Sequence, residues 1–527
     1  MKPFFARCPT LMRLAGLALA ALLMVGCASL PDSVQRQPSQ ARTDVADTRL
    51  AAVAAKSMPG DNQQRSAMRL LAAGDQAFEA RVALARAAEK AIDAQYYQIA
   101  DDDSGRQFLR ALRDAAERGV RVRLLIDDLQ AAGEDTLLVG LASRPNIEVR
   151  MFNPLAVRDG SVKSRVVFSL HEFSRVNRRM HNKLFIVDNV FAISGGRNIA
   201  DEYFGRSEPA NFIDMDLLSA GPVVPEMSAV FDAYWNSEHA YPVQSVAARG
   251  LDAEEARRHF DQSVEDAQGT DTPVAGLDAL GQTSLGTQLQ VGRVELHQAN
   301  VRVVADAPRK ADVVNATLAD GAVMDGTLDL LQSARNEVLV ASPYFVPGHR
   351  TLRVLEKATS EQVRVSLITN SLATTDEPLA HFGYARYRTT LLDMGVSLYE
   401  LMPAAEVRNM GSNVSHGSLG RLHAKLAVVD QRWLYIGSMN MDRRSAHSNT
   451  EMGLIVDSPE LADQVASLLR REQLPQSYRV HREDGRRKLQ WVSQGEQQVV
   501  FAAEPHLGWA MNLRMSMLGM MVSEELL

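Results

Sequence analysis

The 527-residue chain is 46% hydrophobic and 23% charged, the proportions of a globular protein, and is long enough for two domains or one large bilobal one. A formal net charge of −7 argues against a nucleic-acid binder, which carries a basic surface. Only Cys8 and Cys27 are present, which excludes cysteine-based zinc sites and, once a leader is removed, thiol catalysis.

Residues 1–26 read as a signal peptide. Lys2, Arg7 and Arg13 give a positive start, and Leu14–Val25 is an apolar run too short to span a bilayer. The run ends at Met24-Val25-Gly26-Cys27, which resembles the lipobox of bacterial lipoproteins. Cys27 is therefore the expected lipidation site; the alternative is an ordinary leader cut after Cys27-Ala28. Acyl chains on Cys27 would anchor the protein to a membrane, facing the periplasm. In a Gram-negative source, Ala28 in place of Asp resembles sorting to the outer membrane.

Residues 27–66, rich in Gln, Ser, Asp, Arg and Ala, read as a lipid-anchored tether with a few helical turns. Ser66–Lys90 has helical spacing, with Leu70, Leu71, Phe78, Val82 and Leu84 on one side. A first lobe is expected over 67–249. Its strands are Ile92–Ile99, Val120–Ile126, Ile147–Phe152, His181–Val187 and Phe191–Ser194, and a helix over Ser104–Arg118 stops at Gly119. Strand–helix–strand order implies parallel pairing and a sheet covered by helices. Polar, Gly-rich residues 250–295 read as a linker.

A second lobe, 296–480, repeats the first. Val338–Val346, Val363–Thr369 and Val396–Leu401 are its strands and Thr351–Thr359 a helix; Ser458-Pro459-Glu460 starts another helix. A repeat of over two hundred residues marks duplicated lobes rather than a solenoid. Residues 481–527 form a tail. Its Met-rich end, Trp509–Leu527, is expected to pack on the second lobe or to lie against a membrane.

The repeat carries chemistry. His181, Lys183 and Asp188, followed by Gly195, Gly196 and Asn198, return as His423, Lys425 and Asp430, followed by Gly437, Ser438 and Asn440. Every pair is separated by the same 242 residues, His181 to His423 setting the offset. On a strand, residues two apart share a face, so each histidine points with its lysine. Brought together about a pseudo-two-fold axis, two imidazoles, two ammoniums and the amides of Asn198 and Asn440 make a site for a phosphodiester. Lys183, Asn198, Lys425 and Asn440 would hold its oxygens. One imidazole can attack phosphorus while the other protonates the leaving alcohol, a mechanism that needs no metal ion or cofactor.

A nucleophilic imidazole needs a carboxylate on its other nitrogen, and Asp216 and Glu451, downstream of the two motifs, are the candidates. Asp188 and Asp430 count with the catalytic motif but end their strands, so they are expected to fix loop backbone rather than touch substrate. His171, His381, His416 and His447 are unrepeated and read as structural or surface residues. Arg175, Arg178 and Arg179 either attract an anionic head group or form a solvated basic face.

The doubled pattern resembles the phospholipase D superfamily and, within it, bacterial cardiolipin synthases. Ala94-Gln95-Tyr96-Tyr97, Gly195-Gly196-Arg197-Asn198, Thr369-Asn370-Ser371-Leu372 and Gly383-Tyr384-Ala385-Arg386 add to the similarity, which covers 67–500. The resemblance implies two α/β lobes, each a mixed sheet flanked by helices, with the site in the cleft between them. It also implies His181 as nucleophile and His423 as acid and then base. The implied reaction is phosphatidyl transfer between phospholipids by a monomer holding both half-sites. Hydrolysis as a phospholipase D, a nuclease, and a lipid-binding module with a decayed site are the alternatives.

Overall fold

The computed structural model describes residues 30–508 apart from 32–33, 59–63, 132, 159–164, 166–171, 208–209, 249, 268–273, 275, 313–320, 410–419, 483–487 and 495–497. The signal peptide, Cys27, His171, His416 and the Met-rich end at Trp509–Leu527 lie outside the described residues.

Among the described residues the two lobes share one eighteen-stranded sheet. In the first lobe the spatial order is Ala240–Pro242, Ile147–Phe152, Arg121–Asp127, Ala91–Tyr96, Leu184–Val187, Phe191–Gly195, Asp216–Ala220 and Ser66–Leu71. The second lobe runs on in mirrored order from His297–Ala305 through Met452–Asp457, Trp433–Gly437, Leu426–Val429, Glu337–Ala341, Arg364–Asn370 and Ser397–Leu401 to Ser477–Arg482. The seam is the antiparallel pairing of Ser66–Met68 with His297–Ala299. In each lobe the three α/β strands are parallel and the motif hairpin is antiparallel to them, so the sheet is mixed.

Local sequence accounts for the elements. Asp102 caps the helix Asp103–Glu117 by accepting from Gly105 N, Phe108, Leu109 and Leu112 bury its apolar face, and Gly119 at φ 94° turns the chain out. Ser458 caps Pro459–Leu468 in the same way. That helix and Val223–Trp235 pack on the face of the sheet common to both lobes, where Met68, Leu70, Leu217, Leu426 and Leu454 form one continuous core. Separate cores fill the opposite face of each lobe. No helix among the described residues is long and apolar enough to cross a membrane.

Two expectations need correction, on Ser66–Leu71 and on the tail, and two stretches whose conformation the sequence leaves open acquire one. Ser66–Leu71 is a strand, not the start of a helix; the helix begins at Gly74. The strand is buried along its whole length at the seam, so it shows none of the alternation that identifies a strand. Much of the tether packs against the first lobe. Its helix Arg49–Ser57 buries Leu50 and Val53, and Arg36 donates to Ala240 O and Glu238 O. The linker holds two helices, Ala253–Glu265 and Leu285–Val291, packed on the same lobe. The tail adds the strands Leu489–Ser493 and Val500–Phe501 to the sheet.

Candidate active site

Each motif hairpin turns through two left-handed residues, Asp188 and Asn189 in one lobe and Asp430 and Gln431 in the other, with φ between 50° and 54°. The Asp188 carboxylate accepts from the N–H groups of Glu89, Lys90 and Ala91 at 2.8–3.0 Å. The Asp430 carboxylate accepts from Arg335, Asn336 and Glu337 at 2.7–2.9 Å. Both carboxylates therefore brace the start of the neighbouring strand, at the end of the hairpin away from the histidines. Neither belongs to the reacting centre.

The histidines lie just before their strands, which begin at Leu184 and Leu426, and each is docked on the other lobe. His181 N donates to Thr450 O at 2.9 Å and His423 N donates to Ile213 O at 2.8 Å. Thr450 precedes Glu451 and Ile213 precedes Asp214. The backbone contacts that join the lobes thus deliver a carboxylate to each imidazole. His181 Nδ1 lies 3.0 Å from Glu451 Oε2, and His423 Nδ1 lies 2.6 Å from Asp214 Oδ2. A carboxylate at Nδ1 holds the proton there and leaves Nε2 for chemistry.

Asp216 does not fill the orienting role. It is buried against Arg81 at 2.9 Å and Arg197 at 3.3 Å, two residues further along the strand than the carboxylate that meets His423. Asp214 was missed because the loop from Asn198 to Asp214 is five residues longer than that from Asn440 to Glu451, which breaks the constant offset. A signal was available. Asp214-Met215 and Glu451-Met452 are matching pairs, and the sheet sets Gly195 opposite Asp216 as it sets Gly437 opposite Gly453.

Electrostatics follow from burial. Desolvation holds His181 down to about 4, beyond what the Glu451 charge restores. Burial and the neighbouring Lys425 lower His423 as well. Burial also brings Lys183 down to about 7 and Lys425 to about 8. It opposes ionisation of Glu451 and Asp214, but the partner imidazoles and lysines outweigh it and both carboxylates lie below their ordinary values. The lysines fold onto their own histidines: Lys183 Nζ donates to His181 O at 2.6 Å, and Lys425 Nζ to His423 O. An arriving phosphodiester anion favours their charged forms and gives them a stronger acceptor.

Asn198 donates to the Tyr203 hydroxyl at 2.8 Å; its Oδ1 and that of Asn440 are buried without a hydrogen-bond partner among the described residues. Tyr97 packs edge-on to His181, while Tyr203 and Phe212 wall His423. Of the arginine trio, Arg175 binds Asn153, Pro154 and Glu172, and buried Arg179 binds Asp127. Arg178 faces a cavity. His381 is buried against Arg388 and Glu504, and His447 is exposed.

A sequence profile described as cardiolipin synthase, PLD-like domain, matches residues 82–235 and 327–472. The chain is 36% identical over 433 residues to cardiolipin synthase C of Escherichia coli K12, covering 81% of this chain and 89% of that protein. It is 26% identical over 398 residues to cardiolipin synthase 1 of Bacillus anthracis, covering 75% and 64%. The crystal structure of phosphatidylserine synthase from Haemophilus influenzae Rd KW20 shares the fold, with TM-score 0.53 and 13% identity over 83% of this chain and 92% of that one. With the doubled motif and its crossed carboxylates, these matches place the chain in the cardiolipin synthase family of PLD-like proteins.

Proposed function

We propose that the chain is a phosphatidyltransferase that forms cardiolipin, moving a phosphatidyl group from phosphatidylglycerol or a similar phospholipid to phosphatidylglycerol. The observation that carries this reading is the pair of crossed imidazole–carboxylate contacts beside two lysines, a centre built to hold a phosphodiester and cleave it in two steps. The name of the Escherichia coli relative supports the choice of reaction.

Lys183 and Lys425 neutralise the non-bridging oxygens. Nε2 of neutral His181 attacks phosphorus, the P–O bond to the leaving alcohol breaks, and His423 Nε2 gives that oxygen its proton. In the second step the acceptor hydroxyl returns a proton to His423 Nε2, its oxygen bonds to phosphorus, and the P–N bond to His181 breaks. The low value held by His181 suits the nucleophile, which must be unprotonated; the 2.6 Å contact of Asp214 suits His423 as the group that cycles its proton.

In this reading the protein is a monomer attached to a membrane through lipidated Cys27 and facing the periplasm, where its substrates lie in the adjoining leaflet. The positive start, apolar run and Gly26-Cys27 junction support the anchor. Loss of palmitate labelling in Cys27→Ser checks it.

The reaction is tested with purified protein and labelled phosphatidylglycerol in detergent micelles. Cardiolipin with released glycerol is expected; phosphatidic acid alone would make water the acceptor and the chain a phospholipase. His181→Ala should form no covalent lipid adduct, and an adduct that persists there but vanishes in His423→Ala exchanges the two roles.

A further inference from the structure

The turn 441–447 has two sides. From one side Ser445 Oγ donates to Glu451 Oε1 at 2.9 Å, holding the carboxylate that orients His181. On the other side the same turn lines a cavity of about 470 Å³, together with the helices Ala322–Gln332 and His349–Ser360, Lys310, Val346, Tyr387 and, from the first lobe, Arg178. The volume lies in the range of small-molecule sites.

The cavity is amphipathic in an ordered way. Its floor is Met324, Leu328, Val346 and Met441, all buried. Its polar walls carry Arg178, Arg350 and Arg443, with His349 and His447 beside them. Two carboxylates are present and both are engaged. Asp325 pairs with Arg350 at 2.7 Å, and Asp442 accepts from Ser445 N at 2.7 Å. Arg178 donates to the carbonyls of Lys310 and His447, and no carboxylate pairs with it among the described residues. A cationic excess over a buried apolar floor, in a chain of net charge −7, matches an anionic head group joined to an acyl chain. It does not match a cation or a wholly polar metabolite.

We propose that this cavity binds an anionic phospholipid, its phosphate among Arg178, Arg350 and Arg443 and the start of its acyl chains over Met324, Leu328 and Met441. The site is separate from the lysine pair that holds the reacting phosphate, and an occupant presses on the turn that positions Glu451. The inference rests on the transferase reading in one respect. Transfer between two phospholipids brings two phosphates together, and Lys183 and Lys425 serve only the first. The same chemistry is offered by the acceptor lipid and by a bystander anionic lipid of the membrane.

The binding test removes turnover. In a Lys183→Met/Lys425→Met protein, whose reacting centre is blanked, we measure calorimetric binding of dihexanoyl phosphatidylglycerol and dihexanoyl phosphatidylcholine below their micelle concentrations. The anionic lipid is expected to bind, and the zwitterionic lipid to bind at least tenfold more weakly. Adding Arg350→Glu at the exposed rim, or Met324→Trp to fill the floor, should each weaken the anionic lipid by about tenfold. Equal binding of the two lipids, or affinity unchanged in both variants, overturns the proposal. Arg350 is exposed, so its variant keeps the test valid if Met324→Trp fails to fold.

Arg350→Glu in the active enzyme then identifies the source. A raised KM for the acceptor, with unchanged single-turnover release of the donor head group, assigns the cavity to the acceptor. A lowered rate of donor release assigns it to a bystander lipid acting through Glu451. If neither changes, the cavity has no part in the reaction and the proposal falls. Because binding is read without catalysis, a protein that proves to be a hydrolase would sink the transferase reading and leave this result standing.

Discussion

The two half-sites share a backbone and differ in how they hold their carboxylates. In both, a histidine N–H reaches across to the carbonyl just before the partner carboxylate. Around Glu451 the grip is hydroxylic: Ser438 Oγ donates at 2.5 Å and Ser445 Oγ at 2.9 Å. Around Asp214 no room exists for the first of these. A Cβ on Gly196, the counterpart of Ser438, would lie 2.1 Å from Asp214 Oδ1. The shorter carboxylate is brought close to the backbone and meets His423 directly, with Lys425 Nζ 3.1 Å from the same ring nitrogen. The Gly/Ser difference between the motifs is thus the complement of the Asp/Glu difference between the lobes. It gives one imidazole a carboxylate held by two serine hydroxyls and the other a carboxylate in shorter, direct contact, as unequal chemical roles require.

The largest test of that contrast exchanges one carboxylate for an amide. Asp214→Asn keeps the shape but no longer fixes the His423 tautomer, and transfer is expected to fall by about 10³- to 10⁴-fold, the scale of such losses in other imidazole–carboxylate systems. Asp216→Asn, two residues away, leaves Arg81 and Arg197 buried without their charge partner. It should cost about 3–5 kcal/mol of stability while the folded fraction keeps its turnover. Thermal midpoints measured beside transfer rates separate the two, and equal kinetic damage from both would return Asp216 to the site.

Gly196→Ser comes next. The added side chain overlaps Asp214, so it either displaces the carboxylate or strains the strand by about 1–3 kcal/mol, and transfer should drop by about 10²-fold. The reverse change, Ser438→Gly, removes one donor of about 1.5 kcal/mol while Ser445 remains, and about tenfold is expected. Single-turnover rates showing equal losses would mean that the half-sites are interchangeable.

How far the sequence reached follows the same division. The histidines, lysines and asparagines were legible because the segment that carries them has the same length in both lobes. Asp214 was not, because the loop before it differs in length and only strand register restores the correspondence. Ser66–Leu71 was unreadable for another reason: a seam strand covered on every side loses the polar–apolar alternation that marks a strand. Composition left the conformation of the tether and linker open. Their polar groups are spent on the first lobe's backbone and side chains, as when Arg36 donates to Ala240 O or Ser39 N donates to Asn236 Oδ1, and polarity alone does not distinguish such docking from solvation.

The lysines give a smaller, pH-dependent effect. Lys183 titrates near 7 in the folded protein against an ordinary value of 10.5. Between those values the unfolded chain binds more protons than the folded one, so Lys183 makes stability rise with pH over that window. Lys183→Met removes the contribution. The variant should be inactive yet at least as stable as the parent at pH 6, and its thermal midpoint should rise less between pH 7 and 9. A parallel rise in both proteins would show that Lys183 is charged throughout.

The smallest expected effect concerns the residue in front of each histidine. Arg121–Asp127 and Arg364–Asn370 end at equivalent positions, and each last side chain catches the chain just before the motif. Asp127 Oδ2 accepts from Met180 N at 2.8 Å; Asn370 accepts from Leu422 N at 2.8 Å and donates to Leu422 O at 2.9 Å. In the first lobe the catch is a carboxylate held by Arg179. In the second it is an amide whose own backbone carbonyl accepts from His381, which is clamped in turn by Glu504 at 2.5 Å. Asn370→Ala frees Leu422 but leaves the His423 N–H bond to Ile213 and the Asp214 contact in place, so His423 should be loosened rather than lost, with kcat down about tenfold and KM unchanged. Glu504→Gln acts one link further away and should cost less still. Its main signature is in stability. His381 and Arg388 outweigh burial and hold Glu504 at about 2, so its stabilisation is present above the ordinary value of 4.5 and is lost as pH falls from there toward 2. A Glu504→Gln protein whose acid unfolding matches the parent's would remove the tail from this chain of contacts, and a kcat loss in Asn370→Ala no larger than in Glu504→Gln would remove Asn370 as the link that positions His423.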